Sequence, residues 1–410
     1  MEMRRTPLFP PPRDACGRRA RHKGSGEVDT ATINGGVVLR RVRWHLEGAG
    51  SIRPVDRVLG IECGLLSVGV CEHVCRLNQS SSSFAKTAEN LAHLTPIRLS
   101  HEKVRQVVEA EGKHALREAR AGRSALNWRA TDCKVEDSDT RRVYMGCDGV
   151  KVAVVTDAEK RKRRATVVNK RASAPSKKKR RALGRARRGA DQSFKEMRLA
   201  TFYDESQTHR HVAVTRGDHR EAGRMMRREA DRLGLRDAEE KVAVVDGADW
   251  IRHRIFEHLP YLDGVGLDFY HLAENVHRAR RAVYGEDAAE GHAWVASLLH
   301  TAKHEGYEAL IESLSAWRKR WRGGKRKAAD RLVQYVRSRW EMIAYPRFIQ
   351  NGWQIGSGPT ESMCKTTTMR LKGCGQRWDT DNAEALMALA AIEQSHAWDL
   401  YWANRYHDAA

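Results

Sequence analysis

Three acidic residues stand beside glycines where apolar runs end: Asp148 in "CDG", Asp246 in "VVDG" and Glu361 in "GSGPTES". A carboxylate at the end of a buried strand loses hydration, and a bound cation compensates for that loss. A hard divalent ion such as Mg²⁺ fits, because it takes oxygen ligands together with waters and a substrate phosphate. Two such ions about 4 Å apart activate a nucleophile on one side of a phosphodiester and stabilise the leaving oxygen on the other. Three carboxylates suffice to hold them, so the expected cofactor is a pair of Mg²⁺ (or Mn²⁺) ions per active site. Asp-Gly is also an ordinary turn dipeptide. Neither aspartate carries the reading alone, and the basic composition around them adds the weight.

Around Glu361 the chain reads "ESMCKTTTMRLKGCGQRW". If Glu361 holds a metal, then Lys365, Arg370, Lys372 and Arg377 are expected to clamp phosphate. Pro359 suits the first turn of a helix, which would align Glu361, Lys365, Thr368 and Lys372 on one face. A further acid, Asp268, ends the short strand "GVGL", and His271 follows it in "DFYH". Asp268 competes with Asp246 as second metal ligand. "VVDGADW" has the longer buried strand and the tighter glycine exit, so Asp246 is preferred. His271 then acts beyond the metal shell, bonding the scissile phosphate or orienting a ligating carboxylate. A core histidine satisfied by a carbonyl is the alternative.

These residues need elements to carry them. "RRVYMGCDGVKVAVVTD", "EMRLATFYDE", "HRHVAVTRGD" and "KVAVVDGADWI" read as strands, the first interrupted at Asp148-Gly149, and "REAGRMMRREADRLGL" reads as an amphipathic helix. The alternation implies an α/β domain with helices covering a mixed sheet, whose functional groups gather at strand ends. From residue 272 to about 345 apolar residues recur at helical spacing, including Trp294, Trp317, Trp321 and Trp340, which are expected in the core. "NAEALMALAAIEQSHAWDLYW" is expected to close the chain as one helix. Upstream, "GGVVLRRVRWHL" alternates like a strand with a wet, positive face. Ser-capped helices beginning near Phe84 and His101 suggest a helix-turn-helix whose second helix offers His101, Lys103 and Arg105 to DNA. Such helical pairs also occur in any α-rich domain.

The chain has 410 residues, and 74 basic against 52 acidic side chains leave 74 − 52 = +22. A large polyanion is the leading partner. No apolar run approaches the roughly 18 residues of a membrane span, and the basic start lacks the apolar core of a secretory signal. Cytoplasm is the expected location, and the family resemblance described below implies a bacterial, nucleoid-associated protein. The eight cysteines show no regular framework and read as reduced thiols, with Cys71, His73 and Cys75 as half of an alternative zinc site. Residues 160–189 are so rich in Lys and Arg, with Lys177, Lys178, Lys179, Arg180 and Arg181 the densest run, that a solvated, phosphate-neutralising arm is expected.

"YMGCDG", "VAVVDGADWI", "LDFYHLAENV" and "GSGPTESMCKTTTMRLKGCGQRW", in this order, resemble the ISKra-type family of bacterial insertion-sequence transposases. The resemblance runs from about residue 80 to 400, and its last motif is the most specific. It implies a ribonuclease H-like core with an Asp-Asp-Glu active site and an α-helical insertion between the second Asp and the Glu. By motif position the triad is Asp148, Asp246 and Glu361, spaced 246 − 148 = 98 and 361 − 246 = 115 residues. "DFYH" matches a His-terminated motif that follows the second Asp in related mutator-like transposases.

The expected organisation is a disordered basic tail (1–30), a small strand-containing region (31–78) and a helix-turn-helix-like DNA-binding region (79–135). The first part of the catalytic core follows (136–271, with the arm at 160–189), then an all-α insertion (272–350) and the rest of the core with a C-terminal helix (351–410). The expected activity is cleavage of double-stranded DNA at the element's terminal inverted repeats and 3′-hydroxyl transfer into target DNA, by a homo-oligomer assembled on DNA. A nuclease or resolvase that cuts without joining, and a non-catalytic DNA-binding protein, are the rivals.

Overall fold

The computed structural model describes residues 11–13, 16–48, 50–54, 56, 61–62, 65–173 and 182–409. The protein is mixed α/β. Its N-terminal sheet is built on a long antiparallel hairpin of β1 (Arg21–Thr32) and β2 (Gly35–Leu46), flanked by β3 (Gly50–Ile52), β4 (Ile61–Glu62) and β5 (Leu66–Ser67) in the order β3-β2-β1-β5-β4. Residues 21–30 of the expected disordered tail are therefore strand, and residues 1–10 lie outside the described residues. Arg21–Thr32 carries little apolar signal, yet its backbone pairs with β2 along nearly its whole length, and such pairing needs no side-chain pattern.

Helices α1 (Val68–Ser80), α2 (Phe84–Leu94) and α3 (His101–Arg120) follow. The hydroxyls of Ser83 and Ser100 accept from the backbone N–H groups of Lys86 and Lys103 at 3.0 and 3.2 Å, which is N-capping as the serine spacing implies. The three helices pack on one another across position 78/79, and α3 also packs on the helix Thr380–Gln394. Burial explains it: Val104, Val107, Val108, Ala115 and Leu116 of α3 lie in the same apolar cluster as the C-terminal helices.

The central sheet has the order β10-β9-β6-β7-β8, from β6 (Arg142–Ala153), β7 (Phe194–Tyr203), β8 (Arg210–Thr215), β9 (Glu240–Val245) and β10 (Gly264–Leu267). β6, β7 and β8 pair antiparallel, whereas β9 and β10 run parallel to β6. Between β6 and β7 the chain makes α4 (Asp157–Ser173), and α5 (His219–Leu233) and α6 (Asp249–His258) cover one sheet face. Leu267, Met145, Cys147, Ala243 and Val245 point to that face. Tyr144, Val150, Val152, Val242 and Val244 point to the other, the two-residue alternation of a sheet buried on both sides.

After β10 come α7 (Phe269–Tyr284), α8 (Ala289–His304), α9 (Tyr307–Lys319), α10 (Gly323–Arg337) and α11 (Tyr345–Gln350). Trp317 is buried and stacks on Trp294 with ring centroids 4.3 Å apart. Trp340, expected in the core, is 55% exposed. The second sheet face is covered by α12 (Gly358–Met369) and α13 (Thr380–Gln394). α13 is buried without interruption from Asn382 to Ala391, and α3 lies on it so closely that a Cβ on Gly112 would come within 2.7 Å of the Ala385 carbonyl carbon. The C-terminal stretch is two helices, not one: His396 takes a left-handed φ of 52° before α14 (Trp398–Ala409) begins.

Among the described residues, no helix is long and apolar enough to cross a membrane.

Candidate active site

The register of the parallel strands aligns the acids. Met145 of β6 lies opposite Ala243 of β9, so three residues further on (148 − 145 = 246 − 243 = 3) Asp148 is level with Asp246. Val245 lies opposite Leu267 of β10, so one residue further on Asp268 is level with both. Asp148 differs from expectation in lying inside β6, paired with Leu199, where a strand end was read. β6 continues because β7 still pairs with it, whereas its parallel neighbour has already stopped, which opens a cleft on that side.

Gly247, at φ +76°, then turns the chain away from β9. The Ala248 N–H donates to Asp246 Oδ1 at 2.9 Å, and the Gly149 N–H donates to Asp148 Oδ1 at 2.6 Å. Arg339, at the end of the helical block, donates to the Gly247 carbonyl at 2.8 Å and fixes this turn.

Glu361 arrives from the first turn of α12, which crosses the same sheet face. The crossing is close because residue 146 has no side chain: a Cβ there would fall within the Thr360 side chain, 2.7 Å from its Cγ2. Thr360 is buried and shares a 2.9 Å hydrogen bond with Thr201 of β7. The result is a cleft of about 290 Å³ lined by Cys147, Asp148, Asp246, His271, Glu274, Ser357, Thr360 and Glu361. All three triad residues line it.

Asp268 takes a different part. It is fully buried and caps α7, accepting from the His271 N–H at 2.9 Å and from the Ser357 N–H. His271 Nδ1 lies 3.3 Å from Asp268 Oδ1 and 3.8 Å from Glu361 Oε1, and the Ser357 hydroxyl donates to that same Glu361 oxygen at 3.3 Å. Asp268, His271 and Glu361 thus bring potential ligand atoms within 4.8 Å of one another. The Asp268 carboxylate beside the ring raises the His271 pKa to about 9, against burial and with help from Asp246 and Glu274. Burial acts to raise the Asp268 pKa, but the His271 and Ser357 hydrogen bonds outweigh it and hold the carboxylate ionised. Asp268 orients His271 and the loop leading to Glu361.

Asp246 is pushed the opposite way: burial and the Asp148 charge raise its pKa, only partly offset by the Ala248 N–H and His271.

Lys365 is exposed one turn after Glu361. Thr368 is buried and Lys372 lies beyond the end of α12, so the four-residue face expected there is reduced to Glu361 and Lys365. Arg370 is not a phosphate clamp. It is buried, with its guanidinium 4.9 Å from the Phe84 ring centre and 5.1 Å from that of Trp378, donates to Gln376 at 3.0 Å, and burial lowers its pKa to about 10. Apolar rings on two elements made it a core cation, a context that local sequence does not reveal. Arg377 pairs with Glu159 of α4 at 3.2 Å.

On α3, Arg105 is held by Glu102 and Glu109, each at 2.6 Å, while His101 is exposed and Lys103 half-buried in the first turn. Cys71 and Cys75 are buried in the apolar cluster and the His73 ring bonds the Gly69 carbonyl at 2.9 Å, so "CEHVC" is part of a packed helix. Lys177, Lys178, Lys179, Arg180 and Arg181 lie outside the described residues.

Glu274, Ser357 and Thr360 were not found by sequence reasoning. Glu274 follows His271 at i+3, a signal available once the helix was read; the roles of Ser357 and Thr360 depend on tertiary contacts.

His271→Ala is expected to lower cleavage about 10- to 100-fold with either Mg²⁺ or Mn²⁺, as loss of an orienting partner does. Complete loss with both ions would place His271 among the reacting groups.

No protein-family model matches the chain, and no curated protein is significantly similar to it in sequence.

Proposed function

We propose that this protein is a DNA transposase of the kind its motifs resemble: it binds the ends of an insertion sequence, cuts the DNA strand and joins the freed end to target DNA. The observation that carries the reading is the alignment of Asp148 and Asp246 on adjacent parallel strands, with Glu361 brought into the same cleft by a helix crossing over Gly146. The order β8-β7-β6-β9-β10, with β7 alone antiparallel to its neighbours on both sides, supports a ribonuclease H-like core, and the helices between β10 and α12 occupy the place of the insertion.

The donor set fits divalent cations. Asp148, Asp246 and Glu361 offer hard oxygens, and burial together with the Asp148 charge raises the Asp246 pKa, as in a site built for added positive charge. These three residues would hold a pair of Mg²⁺ or Mn²⁺ ions, which when bound polarise the phosphodiester and favour ionised oxygen nucleophiles.

The protein's own groups do the rest. Lys365 faces solvent beside Glu361, where it attracts phosphate. His271, 3.3 Å from Asp268 and 3.8 Å from Glu361, stands between the two carboxylates at the cleft wall and helps to position Glu361. Protein nucleophiles are disfavoured: Cys147 and Cys364 are buried and their thiols are raised far from ionisation. In the first step water oxygen attacks phosphorus, the bond to the 3′ oxygen breaks, and that oxygen takes a proton. In the second, the freed 3′-hydroxyl attacks a target phosphodiester and expels the target's own 3′ oxygen. Pairing of two ends calls for a homo-oligomer on DNA.

The test is incubation of the purified chain with Mg²⁺, its own coding segment with flanking DNA, and a target plasmid. Joined donor–target strands are expected. Cut but unjoined strands would support a nuclease or resolvase, and metal-independent binding without cutting would support a non-catalytic DNA-binding protein.

A further inference from the structure

We propose that the groove between α4 and the returning chain at 182–190 is a preformed seat for the phosphate backbone of double-stranded DNA flanking the cleaved bond. The inference rests on the DNA-substrate reading above, and its test needs no cleavage.

α4 buries none of its side chains, so no apolar face holds it in place. It is tied instead by polar contacts. Lys160 bonds Asp379 and the Arg188 carbonyl, Arg164 donates to the Gly184 carbonyl at 2.9 Å, and the Gly189 N–H donates to the Asp157 carboxylate. Gly189 allows this closure, since a Cβ there would lie 2.5 Å from the Asp157 nitrogen. The described part of the charge run is thus a helix clasped to an irregular returning segment, where a solvated arm was expected.

Between them lies a groove of about 500 Å³ lined by Lys160, Arg161, Arg164, Arg185, Arg187 and Arg188, with Asp157 and Asp379. Both carboxylates are already paired, Asp157 with Arg188 at 3.5 Å and Asp379 with Lys160. Among the described residues no ion pair neutralises Arg161, Arg164, Arg185 or Arg187. Holding four such charges along one groove is unfavourable until a polyanion lies in it.

Position favours the DNA duplex as that polyanion. The groove opens just past the end of β6: Thr156, which bridges to Ala190, is 156 − 148 = 8 residues beyond Asp148. At about 3.3 Å per strand residue this is at most ~26 Å, a span of roughly eight steps at ~3.4 Å along a DNA strand. A duplex with its scissile phosphate in the carboxylate cleft therefore reaches the groove within a turn.

The experiment measures binding of duplexes of increasing length to the full chain without divalent metal, as a function of salt. The variants are Arg161→Ala/Arg164→Ala/Arg185→Ala/Arg187→Ala and the corresponding four-lysine variant. The wild type is expected to gain affinity once the duplex extends about eight base pairs past the cleft, and the alanine variant is not. At about 0.9 per phosphate contact the salt slope of the alanine variant is expected to be shallower by up to ~3.6, about 150-fold in affinity between 50 and 200 mM salt. The lysine variant should keep the wild-type slope, which separates charge from folding. An unchanged slope and length dependence in the alanine variant would overturn the groove's role, as would loss of the slope in the lysine variant. Loss of metal-dependent joining with normal length-dependent binding would instead overturn the transposase reading and leave the groove standing.

Discussion

Asp246→Asn is expected to abolish DNA cleavage with Mg²⁺ and with Mn²⁺, by at least about 10³-fold, because several kcal/mol of transition-state charge stabilisation are lost with a ligating carboxylate. The protein should not be less stable for it. Burial and the Asp148 charge raise the Asp246 pKa in the folded state. An acid whose folded pKa lies above its unfolded value destabilises the fold when ionised, at pH above that range. The neutral amide removes this repulsion, so thermal unfolding at neutral pH without metal should come at the same or a higher temperature. A purely structural Asp246 would show the reverse, with unfolding at lower temperature and activity lost in proportion. Asp268→Asn should keep measurable cleavage, since Asp268 acts through His271 and Ser357. If Asp268→Asn is dead and Asp246→Asn active, the second ligand is Asp268.

The second large effect concerns a residue with no functional group. A Cβ at position 146 has no room beside Thr360, so Gly146→Ala is expected to push α12 off β6 and carry Glu361 with it. Overpacking of this kind costs about 1–3 kcal/mol. The activity loss should be larger than that implies, about 10²-fold per ångström of misplacement. Gly324→Ala, where the added carbon meets open space, should leave activity unchanged. Full cleavage by Gly146→Ala would mean that the close crossing of α12 does not set the position of Glu361.

The acids themselves were legible because each lies where an apolar pattern stops. "KVAVV" forms a buried central strand that ends one residue before Asp246, and Pro359 marks the first turn of α12 as its fixed φ allows. Serine spacing gave the caps of α2 and α3. What could not be read was tertiary. The hairpin partner of β1 is chosen by backbone pairing, so Arg21–Thr32 looked like a tail. Asp148 looked like a strand end because β7, which carries β6 past it, is distant in sequence. Arg370 resembled its basic neighbours until Phe84 and Trp378 enclosed it. Charge density alone also hid the order in 157–173, since a helix tied through its first turns by carboxylates and carbonyls needs no apolar stripe.

The central claim is that Asp148, Asp246 and Glu361 together hold divalent cations. The most direct measurement is Mn²⁺ binding by electron paramagnetic resonance, in the presence of a duplex end, for the wild type and for Asp148→Asn, Asp246→Asn and Glu361→Gln. Two bound Mn²⁺ ions per chain are expected for the wild type, with at least one lost in each variant. Wild-type binding that persists in all three variants, or no binding by the wild type, would contradict the account.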